Sequence, residues 1–189
     1  MKDLSLFLDT ATYSFSLALK NKNVTTYLSL GDPKKVLERT DLGIKLLLDD
    51  LKMSDIGAYY TLLGPGSNTG IRLGLTIPRT IYALDNNIHL YGINTLELFS
   101  FVDDEAIPAL SDRGGNLYIY KDKKVSIVKK DAIDINQKYI LDQKDEKAKS
   151  KLKDYILIDP VSLMVKYRDR FIDFSTKESD YLPIYALKI

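Results

Sequence analysis

Apolar and polar positions first follow the rhythm of short strands. Leu4–Leu8 is an apolar run and Asp9–Thr12 reads as a turn. Tyr13, Phe15, Leu17 and Leu19 alternate with Ser14, Ser16, Ala18 and Lys20, the period of a half-buried strand. Lys20–Asn23 makes a second turn and Val24–Leu30 a third strand. Turns this short join antiparallel neighbours. Gly31-Asp32-Pro33 breaks the pattern, with Asp32 as a helix cap and Pro33 in the first turn. The helix predicted to follow runs to about Met53. Its wide apolar stripe is Val36, Leu37, Ile44, Leu47, Leu48 and Leu51. Leu42, Leu46 and Met53 fall on nearly the opposite face, and a helix apolar on two faces packs on two sides.

Ala58–Leu63 is a continuous apolar run, as in a buried parallel strand. A glycine-rich loop follows, then a helix to about Leu84, a strand over Ile88–Ile93, and a helix capped by Asn94 or Thr95 through about Val102. The order is βββαβαβα, and it then starts again. Ile107–Leu110, Leu117–Tyr120 and Val125–Val128 read as strands, with Asp9 and Asp112 in similar places. The charged segment 137–153 is predicted to be partly helical, followed by strands near Tyr155–Ile158, Ser162–Tyr167 and Ile184–Leu187. The chain therefore divides near Asp103-Asp104-Glu105 into residues 1–103 and a degenerate repeat, 104–189.

Composition narrows the function. At 45% apolar and 28% charged residues the chain is an ordinary globular protein, with no apolar run near the roughly 20 residues that cross a bilayer. The first residues, MKDLSLFLDT, lack the marks of a signal peptide, and a cytoplasmic protein with no membrane partner is expected. Cysteine is absent and histidine occurs once, as His89, so a thiolate site, a paired-histidine metal site and a cysteine nucleophile are excluded. His89 is expected to be structural. A net charge of +1 does not mark a free-standing nucleic-acid binder. Six lysines lie between 138 and 153; they read as a solvated face, with RNA contact as the alternative. No catalytic residue and no metal site is assigned.

The stretch LLGPGSNTGIRLG, residues 62–74, leaves a strand and enters a helix, and such a junction presents free N–H groups that can hold an anion. Gly66, Ser67 and Thr69, with Asp9 and Thr10 of the first turn, are the residues that would meet it. Ile71 and Arg72 stand where a phosphate loop needs lysine and a hydroxyl residue, so that motif fails. Gly70 and Gly74 lie one turn apart and permit close approach of another backbone. A tight structural corner is the first reading and anion contact the second. Two βββαβαβα halves resemble the actin, sugar kinase and heat-shock ATPase (ASKHA) superfamily, an α/β fold. Members that hold ATP alone carry a D-x-G turn in each half and an adenosine-contacting glycine pair. Here Ala11 takes the first glycine position, Asp112-Arg113-Gly114-Gly115 is closer, and no glycine occurs after Gly115.

LFLDTATYSFSLAL, LLGPGSNTGIRLGLTIPRTIYAL and LYGINTLELFS resemble, in order and spacing, the bacterial TsaB (YeaZ) family. SDRGGNLY and the final YLPIYALKI resemble it more weakly, and Asn68, Pro78 and Arg39-Thr40 depart from its pattern. The resemblance implies a non-catalytic partner that activates TsaD in forming N6-threonylcarbamoyladenosine at position 37 of tRNAs reading ANN codons. TsaC supplies the threonylcarbamoyl adenylate and TsaE joins the larger complex. No cofactor is expected on the chain alone, with ATP or ADP placed at the junction with TsaD. Leu42, Leu46, Met53, Gly70 and Gly74 become the partner surface, for TsaD or for a second copy, and tRNA is met indirectly. The alternatives are a stand-alone ASKHA-type enzyme, an ATP-dependent kinase or peptidase-like, and a direct tRNA binder acting through the 138–153 lysines.

Overall fold

The computed structural model describes residues 2–31 and 35–184. The first half runs β1 (Leu4–Asp9), β2 (Ser16–Asn21), β3 (Val24–Ser29), α1 (Val36–Leu48), β4 (Ile56–Leu62), α2 (Asn68–Leu84), β5 (His89–Ile93) and α3 (Thr95–Ser100). β1 pairs antiparallel with β2, and β2 with β3, as the short turns dictate. β4 and β5 add on parallel to β1, because helices cross between them. The second half repeats the scheme with β6 (Ile107–Ser111), β7 (Leu117–Lys121), β8 (Lys124–Val128), β9 (Lys138–Asp142), α4 (Glu146–Lys149), β10 (Asp154–Ile158) and α5 (Pro160–Lys166). Its sheet order, β10-β9-β6-β7-β8, mirrors β5-β4-β1-β2-β3. A short return strand, β11 (Ile172–Asp173), then leaves the second half and pairs antiparallel with β5.

α1 packs on β2 and β3, and α2 on β4 and β5, outside the first sheet. α3 lies against β6, β7 and β9, while α5 lies against β1 and β2. Each half's closing helix thus covers the other half's sheet, and one core holds Leu6, Leu8, Leu96, Leu110, Ile140 and Met164 together. A small second cluster, with Ala109, Leu117, Tyr139, Leu141 and Leu152, lies apart from it. Alternation along β9 sends Ile140 to one cluster and its neighbours to the other.

Several expectations change. The proposed cap Asp32 and first-turn Pro33 lie outside the described residues. α1 stops at Leu48, where Asp49 takes a φ of 51°. Leu37 and Leu51, placed on the inner stripe by sequence, are exposed. Met53 is not on α1: it opens a short 3-10 turn, packs against the core, and its carbonyl accepts from the Tyr59 hydroxyl at 3.2 Å. α2 runs unbroken past Pro78. Segment 137–153 contains a strand, β9, and only four helical residues, since Tyr139, Ile140 and Leu141 pair into the sheet. Ser162–Tyr167, predicted as a strand, is mostly α5, begun by Pro160 at a helix start. In the second half, residues between β8 and β9 form a 3-10 turn in place of a long helix. The strand predicted at Ile184–Leu187 lies largely outside the described residues; the Ile184 N–H donates to the Leu63 carbonyl at 2.7 Å.

Candidate functional site

β4 ends against the first turn, and the glycine corner is shaped to meet it. The Ser67 N–H donates to the Ala11 carbonyl at 2.8 Å, and the Thr10 hydroxyl donates to the Gly70 carbonyl at 2.7 Å. Ser67 caps α2 by accepting the Gly70 N–H at 3.3 Å. A Cβ on Gly70 would lie 1.6 Å from the Thr10 carbonyl oxygen, one on Gly66 2.4 Å from the Ala11 carbonyl oxygen, and one on Gly74 2.6 Å from the Thr10 hydroxyl. The glycines are required by close approach within this chain, so the face on which Gly70 and Gly74 lie is covered by Thr10 and not presented to a partner. Gly66, Ser67 and Thr10 come together here, whereas Asp9 turns its carboxyl to Thr12 and Thr69 faces solvent. A phosphate would meet carbonyl oxygens of residues 10 and 11. The corner does not fit a nucleotide phosphate.

Beside the corner the two halves meet through buried polar groups. Asp9 accepts the Thr12 N–H at 3.0 Å and the Thr12 hydroxyl. Asp142, at the end of β9, accepts the Ser14 N–H at 2.7 Å, the Ser14 hydroxyl, and the Lys144 N–H at 2.9 Å. Asp145 accepts the Ser111 N–H at 2.7 Å, the Ser111 hydroxyl at 2.6 Å and the Ala148 N–H at 3.0 Å. The Tyr13 hydroxyl reaches across to the Ser111 carbonyl at 3.1 Å. Asp9, Ser14, Asp142 and Asp145 are fully buried. Among the described residues no lysine, arginine or histidine forms an ion pair with them. Burial pushes the Asp9 carboxyl up to about 7, aided by the nearby Asp142 charge and opposed by the Thr12 hydrogen bonds. Burial raises Asp142 as well, against the donors that converge on it. The same place in β6 holds Ser111; Asp112, its sequence-based counterpart, spends its carboxylate on the Asn116 backbone and side-chain amides, both at 2.8 Å.

Sequence reasoning did not single out Ser14, Ser111, Asp142 or Asp145. A signal was present: LFLD at 6–9 and YILD at 139–142 both end an apolar run in aspartate. Buried strands rarely end so unless the carboxyl finds donors.

On the opposite side, α1 turns Leu42 and Leu46 outward, 49% and 63% exposed, beside the solvent-facing Arg39. Leu37, also exposed, lies toward the flank of the same helix. Of the 138–153 lysines, Lys138 pairs with Asp103 at 2.9 Å and Lys149 with Glu146. Lys144, Lys147 and Lys151 reach Ser29, the Arg113 carbonyl and the Gly115 carbonyl. His89 sits half-exposed at a strand edge, 3.3 Å from Asp173. Among the described residues no group of three His, Cys, Asp or Glu is placed to hold a metal ion, and no helix is long and apolar enough to cross a membrane.

Comparison with known proteins bears on the architecture. An uncharacterized Pseudomonas aeruginosa protein with similarity to peptidase YeaZ superposes with a TM-score of 0.68, covering 98% of this chain and 100% of that one at 15% identity. YeaZ from Pseudomonas aeruginosa superposes at 0.63, covering 97% and 99%, again at 15% identity. The chain has the YeaZ fold. That fold is α/β, and the duplicated sheet order agrees with the actin-like, ASKHA-type arrangement expected from the sequence. In sequence, MG208, an uncharacterized protein of Mycoplasma genitalium, is 32% identical over 96 residues, 48% of this chain and 49% of that protein. The match thus spans about half the length of that relative. No family model matches the chain. Against the chain's own first half, the second is reduced: a 3-10 turn stands between β8 and β9 in the place of α1, and α4 has four residues.

Proposed function

We propose that this protein is a non-catalytic TsaB-type partner that activates a TsaD-like enzyme in forming N6-threonylcarbamoyladenosine at position 37 of tRNAs reading ANN codons. One observation carries the reading: the junction where an ASKHA protein would open a nucleotide cleft is bridged by Ser14 on the buried Asp142 and Tyr13 on Ser111, while α1 offers leucines to solvent. The chain's capacity lies on its surface and not in a cavity. Burying Leu42 and Leu46 against TsaD or a second copy contributes about 1.5–3 kcal/mol each. In this scheme TsaE joins the larger assembly, ATP or ADP sits at the junction with TsaD, and tRNA is met through the complex in the cytoplasm.

Reconstitution tests it. Purified TsaC, TsaD and TsaE should modify tRNA only when this chain is added, and full modification without it would refute the proposal. ATP hydrolysis, phosphoryl transfer or peptide cleavage by the chain alone would instead support the stand-alone enzyme.

A further inference from the structure

We propose that Asp142 is a built-in anion: its carboxylate, carried by the second half, fills the donor pair that the first turn presents and bolts the two halves shut where the fold otherwise leaves a cleft. This goes beyond the scaffold reading and does not depend on it.

The argument begins with the first turn. Residues 10–15 connect β1 to β2. In this chain Ser14 aims both its N–H and its hydroxyl at one carboxylate, with the N–H at 2.7 Å from Asp142 Oδ2 and the hydroxyl on Oδ1. Phe15, next in sequence and fully buried, holds a φ of 41°, a conformation a bulky residue adopts only when its surroundings enforce it. The turn is shaped to present those donors, and what it holds comes from 128 residues further along the chain. Asp142 has three protein donors, counting the Lys144 N–H, whereas Asp9 has two, both from Thr12. Of two neighbouring buried acids the better-solvated one keeps the charge and the other keeps the proton. Asp142 is therefore the anion of the pair. Charge-assisted hydrogen bonds are about twice as strong as neutral ones, so this contact is a strong link between the halves. Tyr13 to Ser111 and Lys144 to Ser29 flank it. A nucleotide phosphate would compete with an occupant that cannot diffuse away.

Chemical rescue tests the idea. Amide exchange is followed by NMR in Asp142→Ala, in sodium formate and in sodium chloride of equal ionic strength. In chloride the Ser14 amide is expected to exchange tens of times faster than in the wild type, while the Leu6 and Leu8 amides of β1 keep their protection. Formate, the missing carboxylate as a free ion, is expected to slow Ser14 again in the variant and to leave the wild type unchanged. Where the variant unfolds in chloride, formate is expected to refold it. Asp142→Asn keeps shape and one acceptor but no charge; it is expected to fold in both salts with Ser14 exchanging about tenfold faster than wild type. A Ser14 amide indifferent to formate in folded Asp142→Ala overturns the proposal. Where Asp142→Ala is unfolded in both salts, Asp142→Asn decides, and wild-type protection at its Ser14 overturns the proposal.

Discussion

Replacing Asp9 by asparagine should flatten the dependence of stability on pH between about 5 and about 8. The folded protein holds a proton on this carboxyl up to about pH 7, while the ordinary value for an aspartate is 3.8. Between those values unfolding releases the proton, so stability falls as pH rises. The full span is about 3 pK units, or about 4 kcal/mol, and the part lost between about pH 5 and about pH 8 is about 2.5 kcal/mol. Asp142, also raised, adds in the same direction. Asp85, lowered to about 2 chiefly by Lys2, and Asp103, Asp134 and Asp173, also lowered, act only in more acid solution. Asparagine keeps an acceptor for the Thr12 N–H, and the Thr12 hydroxyl can turn to accept from its amide. Urea denaturation at the two pH values should therefore show the Asp9→Asn variant losing about 2.5 kcal/mol less than the wild type, with the remainder left to Asp142. A variant that loses stability as steeply as the wild type would show that Asp9 titrates normally and that the buried-acid description is wrong.

Three further outcomes are expected. Leu42→Lys with Leu46→Lys should leave the thermal midpoint nearly unchanged, within about 0.5 kcal/mol of stability, because both side chains are exposed; the same protein should fail to support tRNA modification in the reconstituted system, and retained activity would move the partner surface elsewhere. Gly70→Ala should destabilise by about 3 kcal/mol or more by differential scanning calorimetry, since its Cβ would overlap the Thr10 carbonyl at 1.6 Å; a neutral result would contradict the close docking of corner and turn. Pro78→Ala restores an N–H inside α2 and should raise stability by about 1–3 kcal/mol after the loss of buried ring surface, read from urea midpoints; a lower midpoint would mean that the ring's packing outweighs the missing hydrogen bond.

The first half was legible because its signals are local and mutually consistent. Alternation over residues 13–20 marked β2, although the strand begins at Ser16 and is buried on both faces; the unbroken run at 58–63 marked β4; and of Asn94 and Thr95, the two caps offered, Asn94 accepts the Leu96 and Glu97 N–H groups. The second half carried the same scheme with weaker marks. β9 is hidden because three apolar residues lie between charged flanks, and its burial is decided by β6 and β10 on either side. α5 was missed because Val161, Leu163, Met164 and Val165 look strand-like, although the preceding Asp-Pro pair is a helix start. Exposure on α1 followed the sheet it covers: Leu37 faces outward although its helical angle falls between those of the buried Ile44 and Leu48. Within the junction, the glycine corner was read correctly as a tight corner, because its glycines are tied to residues 10 and 11. The Asp142–Ser14 contact was not legible at all. It joins residues 128 positions apart, and only the docking of the two halves brings them together.

The return of β11 to β5 makes the molecule a closed circuit and not two beads on a string. Ile172 pairs with Gly92, the Phe174 N–H donates to the Leu90 carbonyl at 2.8 Å, and Ile184 reaches Leu63. A cut at 103–105 would thus liberate neither lobe, because the far end of the polypeptide is already woven into the near one. A fragment ending there would bare the outer rim of β5, an invitation to stick to other chains. Together with the exchanged helices, this short strap ties the two lobes into one indivisible body.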